Sequence, residues 1–188
     1  MSDAQGTGRP GRYVRSTGGL IGSMIVLVVV VLGAVIFRDA FRTTPSYRPD
    51  RVDYRSLIVS VQQQGLKPAY PAPLPKGWFV KDAAFAPGDR PAVDLEMTTD
   101  QGHFVGMHQE DADVHTLVDD LVGTGTVPGD KVTIDSRVGS RWQEWTDPDG
   151  DHAYSIDRRH ETLLVYGSAP VAEIKRLIGT LSTAKLKP

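Results

Sequence analysis

Cysteine is absent from the 188-residue chain, and so is asparagine. Without cysteine there is no disulfide framework, no thiolate metal site and no cysteine nucleophile. Lipoprotein processing, which needs a cysteine after the hydrophobic segment, is excluded with them. Without asparagine no N-x-S/T glycosylation site exists. A dominant charge is lacking too: 21 lysines and arginines face 23 aspartates and glutamates, a net charge of −2. With 40 % hydrophobic and 23 % charged residues the composition is globular, neither disordered nor collagen-like. The length suits one domain of roughly 100–150 residues plus a further segment.

That segment is present. Gly18 to Phe37, GGLIGSMIVLVVVVLGAVIF, is a run of 20 residues without a charge. As a helix it extends about 30 Å, the thickness of a bilayer's hydrocarbon core. A signal-peptide core is shorter and ends at small residues, whereas Phe37-Arg38-Asp39-Ala40-Phe41 is a poor cleavage site. The expectation is an uncleaved single-pass anchor, in contact with the lipid bilayer through residues 18–37. Arg9, Arg12 and Arg15 precede it; Arg38, Arg42 and Arg48 follow with Asp39 and Asp50. The N-terminal flank is the more positive by net charge, but the lysine and arginine count, on which orientation depends, is close. A 17-residue N-terminal piece short enough to stay in the cytoplasm, and a first hydrophobic segment that acts as an export signal, favour a cytoplasmic N-terminus. Residues 1–17 then form a cytoplasmic basic tail, 38–52 a juxtamembrane linker and 53–188 an extracytoplasmic domain. That domain carries 14 lysines and arginines against 20 aspartates and glutamates, a net charge of −6. Such a balance argues against nucleic acid and against an anionic membrane surface as partners. Gly18 and Gly22 form a small-xxx-small pair, a candidate helix–helix contact in lipid.

Beyond the linker, Tyr54, Leu57, Ile58 and Val61 recur at helical spacing. Pro68, Pro71, Pro73 and Pro75 then require an extended stretch. Strands are expected over Trp78–Phe85, Ala92–Thr98 and His103–His108, with a turn at Asp100-Gln101-Gly102. Val114, Leu117, Val118, Leu121 and Val122 make one apolar helix stripe, opened by Asp111 and Asp113. Gly123 to Gly129 reads as a loop. Strands over Val132–Ile134, Ser140–Thr146, His152–Asp157 and Glu161–Tyr166 follow, with Asp147-Pro148-Asp149-Gly150 as a hairpin turn. Pro170 opens a helix burying Val171, Ile174, Leu177, Ile178 and Leu181. The order is strands then helix, twice, which suggests duplication without a residue-level repeat. The expected class is α+β: one transmembrane helix, then an antiparallel sheet of six or seven strands packed with two or three helices.

Several of these features occur together: the basic tail, the Val-rich span, the LPKGW stretch from Leu74 to Trp78, Trp142-x-x-Trp145 beside a DG hairpin, and the closing segment LLVYGSAPVAEIKRLIGTL from Leu163 to Leu181. In this the chain resembles, over nearly its whole length, the actinobacterial family of single-pass membrane proteins called domain of unknown function 4245. The resemblance implies an envelope location and assigns no activity and no site residues. The lack of asparagine and the Arg-, Asp-, Val- and Gly-rich usage fit a GC-rich bacterial genome. The order of elements is also similar to Mog1/PsbP-like domains, a fold-level analogy that carries no function.

Chemical motifs are sparse. His108 to His115, HQEDADVH, is the best local metal candidate, but its carboxylates are explained as helix N-terminal charges. DPDGD at 147–151 lacks the length of a calcium loop and reads as a hairpin. Gly123, Gly125 and Gly129 do not make a phosphate loop, and Ser168 lacks a GxSxG setting and reads as a helix cap. Neither a catalytic residue, a cofactor nor a metal ligand is expected. Trp142 and Trp145, three apart in a strand, must face opposite ways. One should anchor the core, and the other is a candidate partner contact. The reading that follows is a membrane-anchored extracytoplasmic interaction or ligand-binding domain of the cell envelope, its partner an envelope protein or small ligand. The alternatives are an assembly subunit of a membrane complex and an envelope hydrolase. A large exposed apolar patch would favour the former and a convergent His, Asp and Ser cleft the latter.

Overall fold

The computed structural model describes residues 52–187. The expected span at residues 18–37, with its Gly18 and Gly22, lies outside them, as do the tail and nearly all of the linker. No helix among the described residues is long and apolar enough to cross a membrane.

The first helix, α1 (Tyr54–Gln63), starts where the Asp53 carboxylate accepts the Arg55 N–H, and it buries Tyr54, Ile58 and Val61. The proline-rich stretch contributes β1 (Tyr70–Pro71), which pairs with β9 (Leu181–Ser182) near the end of the chain. Between them runs an antiparallel meander of β2 (Phe79–Ala86), β3 (Ala92–Thr98) and β4 (Phe104–Glu110). After α2 (Val114–Leu121) comes a second, β5 (Val127–Thr133), β6 (Arg141–Thr146), β7 (His152–Arg158) and β8 (Glu161–Gly167), closed by α3 (Val171–Thr180). β4 and β8 join the meanders into one seven-stranded sheet, ordered β2-β3-β4-β8-β7-β6-β5, with every neighbouring pair antiparallel. The class is α+β, with a seven-stranded antiparallel sheet, the two-stranded β1–β9 pair and three helices among the described residues.

The period of two sorts the side chains into two layers. Leu95, Met97, Val105, Met107, Trp142, Tyr154, Leu163 and Val165 point to one face, where α1 and α3 cover them in the main core. α3 brings Ile174, Leu177 and Ile178, all fully buried. Each is worth about 1.5–3 kcal/mol of transfer free energy. On the opposite face Leu117 and Val118 of α2 pack on Trp145, Ala153 and Leu164 in a smaller cluster. The two helices that close the meanders thus lie on opposite faces. A duplication would place them on the same face, so the repeated order of elements is not a repeated structure.

Four expectations need correction. Val127 to Gly129 lies in β5 and not in a loop. Its residues are almost all exposed, and its pairing is interrupted between Pro128 and Lys131, so no apolar alternation marks it. β9 is two residues long and takes over Leu181, which packs in the main core but not as part of the helix. Val171, expected among the buried residues of α3, is only partly buried, and Glu173 is buried there instead. Ser168 does not cap α3: Pro170 holds the N-cap position, and the Ser168 hydroxyl instead accepts the Phe104 N–H at 3.3 Å.

Candidate functional site

The sheet's second face is too wide for its cover. Seven strands at about 4.8 Å spacing span nearly 30 Å, whereas an eight-residue helix is about 12 Å long and 10 Å wide. α2 therefore covers only the centre of that face and leaves a recess on each side.

One recess, of about 430 Å3, opens between the start of α2 and strands β5–β7. Val114 and His115 form its helix wall, and Gln143, Trp145 and Ser155 line it from β6 and β7. Its outer lining comes from Pro128, Lys131, Arg141 and Asp157. Lys131 and Gln143 are cross-strand partners, as are Gln143 and Ser155, which sets these side chains side by side on one face. The Trp145 indole N–H donates to the Ser155 hydroxyl at 2.8 Å, and His115 packs edge-on against the Trp145 ring at 5.2 Å. The Gln143 amide group is used locally, donating to the Gly129 and Glu144 carbonyls.

The second recess, of about 290 Å3, lies at the other end of α2, over β2–β4. Leu121 and Tyr166 wall it, and Asp82, Asp94 and Glu96 make it acidic. Burial, then the Asp94 and Glu96 carboxylates, push the Tyr166 phenol up to about 12. On the same strands sits His108, only 8 % exposed. Its Nδ1 lies 2.5 Å from Asp94 Oδ1 and its Nε2 3.2 Å from Glu110 Oε2. Burial by itself pulls the His108 pKa down, but the two carboxylates outweigh it and hold the value above that of an ordinary histidine. Glu110 also accepts from Arg90 at 2.7 Å, so the network alternates in sign from Asp94 to Arg90.

Residues 12–181 match the family model described as protein of unknown function, DUF4245. The chain belongs to that family. No curated protein matches it.

Of the residues singled out in the sequence of this DUF4245 member, Trp142 and Trp145 do face opposite ways. Neither stands out as a contact, however: Trp142 is 0 % and Trp145 2 % exposed. Trp142 sits in the main core with its indole N–H on the Gly139 carbonyl, which removes it as a partner contact. Trp145 keeps a link to a site only by lining the larger recess. In HQEDADVH, Asp113 caps α2 as the sequence implies, accepting from the His115 and Thr116 N–H groups. Glu110 instead serves His108, together with Asp94 from the neighbouring strand. The two His108 nitrogens address separate carboxylates, and no three His, Asp or Glu side chains among the described residues could hold one ion. DPDGD is the β6–β7 turn: Asp147 accepts the Asp149 N–H, and its backbone pairs with Asp151 and Gly150.

Sequence reasoning missed Lys131, Arg141 and Asp94. The signal for Arg141 was there, since Arg141, Gln143 and Trp145 alternate along one strand and must share a face. Lys131 was hidden by the irregular pairing of β5, and Asp94 by a partner fourteen residues away.

Proposed function

We propose that the chain is a membrane-anchored, extracytoplasmic binding domain of an actinobacterial cell envelope, without catalysis. Residues 18–37 serve as a single-pass anchor with the N-terminus in the cytoplasm, and the domain from residue 53 onward faces outward. The uncharged run supports the anchor, and the short 17-residue N-terminal piece before a first hydrophobic segment supports the orientation. The observation that carries the binding reading is the half-covered sheet face, with a polar recess on each side of α2. A non-catalytic role is supported by His108, the buried histidine with carboxylate partners. Both its nitrogens are held by acids, with no serine or threonine hydroxyl bonded to either among the described residues.

The absence of cysteine provides the test. Asp149→Cys places a single thiol on the exposed β6–β7 turn of the full-length chain. A membrane-impermeant maleimide should label it in intact cells as fully as in lysed cells. Labelling only after lysis would overturn the extracytoplasmic placement.

A further inference from the structure

We propose that the recess between α2 and strands β5–β7 binds a soluble small organic anion, an acidic group carried on an apolar body. The inference rests on the binding reading above and assigns the ligand class of its larger recess.

The first argument is charge. Lys131 and Arg141 line the recess, and neither comes within ion-pair distance of a carboxylate among the described residues. Both are exposed, and Lys131 on the edge strand β5 also guards that edge against pairing; together they set positive charge on one side of a domain of net charge −6. Asp157 is the recess's carboxylate, so one positive charge remains in surplus, the balance for a monoanionic group or a dianion whose second charge stays in water.

The second argument is the lining. Ser155 lines the recess and accepts the Trp145 N–H at 2.8 Å, which leaves its own hydroxyl proton to turn towards a ligand. An anionic oxygen in the recess would accept that proton. Val114, Pro128 and the Trp145 ring provide apolar wall for the rest of the ligand. The volume, about 430 Å3, is that of a small-molecule site. An anionic lipid headgroup offers similar chemistry, but the acidic domain is held off an anionic bilayer surface, so the ligand comes from solution.

Phenyl phosphate is the probe, with the full-length protein purified in nonionic detergent and uptake measured by equilibrium dialysis. Saturable one-site binding is expected, and it should weaken with rising salt. Lys131→Gln and Arg141→Gln should each weaken it roughly tenfold, the loss of one charge-assisted contact. Lys131→Arg should retain it, and Asp157→Asn should tighten it. Asp82→Asn with Glu96→Gln, in the other recess, should leave it unchanged. All these side chains except Glu96 are exposed, and unchanged circular dichroism confirms that the variants fold. No saturable uptake, or uptake indifferent to the Lys131→Gln/Arg141→Gln pair, overturns the proposal. Uptake of benzylamine instead overturns the anion assignment and leaves a binding domain standing. Displacement by short-chain phosphatidylglycerol reassigns the recess to a lipid headgroup and overturns the soluble source. The maleimide experiment reads location alone, so it can fail or succeed independently of all of these.

Discussion

The Tyr166 ring lies across Gly106 of the neighbouring strand, its Cζ 2.5 Å from where a β-carbon on that glycine would stand. Only glycine lets the phenol lie down on the sheet and wall the acidic recess, with Phe104 edge-on to it at 5.8 Å. Gly106→Ala should therefore cost about 1–3 kcal/mol by displacing the ring. In a Tyr166→Ala background the same change should cost little, because the clash is gone. Denaturant titration of the full-length protein and its three variants closes the cycle. Equal costs in both backgrounds would show that the ring is not what excludes a side chain at position 106.

The His108 network makes stability depend on pH. A histidine's unfolded pKa is about 6.5, and the folded value of His108 lies above it. The folded state therefore holds its proton longer. The stabilisation is complete below about pH 6.5 and is lost as pH rises through the folded value. Glu110 stays paired with Arg90 above that point, whereas Asp94 loses its histidine partner's charge. Denaturation midpoints of the wild type should fall across this window, and those of His108→Gln should fall less. A steeper fall in the variant would reverse the sign and the assignment.

Burial separates two apolar residues that composition treats alike. Leu177 is 0 % exposed in the main core and Val127 59 % exposed on the edge strand β5. Leu177→Ala should cost about 2–5 kcal/mol, since it leaves a cavity under the sheet. Val127→Ala should stay within about 0.5 kcal/mol, as surface changes do. Comparable losses would place Val127 against something that the isolated domain does not show.

The same contrast explains what could be read from the chain. Wherever one face of an element is buried, the sequence carries its period. The stripe Leu117, Val118 and the run Ile174, Leu177, Ile178 announced α2 and α3, alternation announced β7, and β4 and β8, buried on both faces, were marked by the turn or glycine at their ends. β5 buries almost nothing and contains Pro128 and Gly129, so its pairing with β6 left no trace in the pattern. The site was harder to read for a related reason. The residues of the larger recess come from α2, β5, β6 and β7, and only the sheet order makes them neighbours. Trp145 was noticed for its size; that it would be roofed by α2 depended on which face the helix chose. Asp94 and His108 meet because β3 and β4 pair in one register, a fact of alignment between strands that neither strand encodes alone.

The aspartates of the β6–β7 turn allow a test by calcium. A calcium ion needs six to eight oxygens converging at about 2.3–2.6 Å. Asp147 is already committed: Oδ2 accepts the Asp149 N–H at 3.0 Å and Oδ1 the Thr126 hydroxyl at 3.3 Å. The chain leaves the turn directly into β7, so no ligand comes from the residues that follow. A bound ion at a hundredfold excess over its dissociation constant would add about 2.7 kcal/mol to stability. The expectation is that millimolar calcium, and EDTA after it, leave the melting temperature of the full-length protein unchanged. A rise of several degrees that disappears in Asp149→Ala would show that the turn gathers an ion, and that its acidic residues do more than reverse the chain.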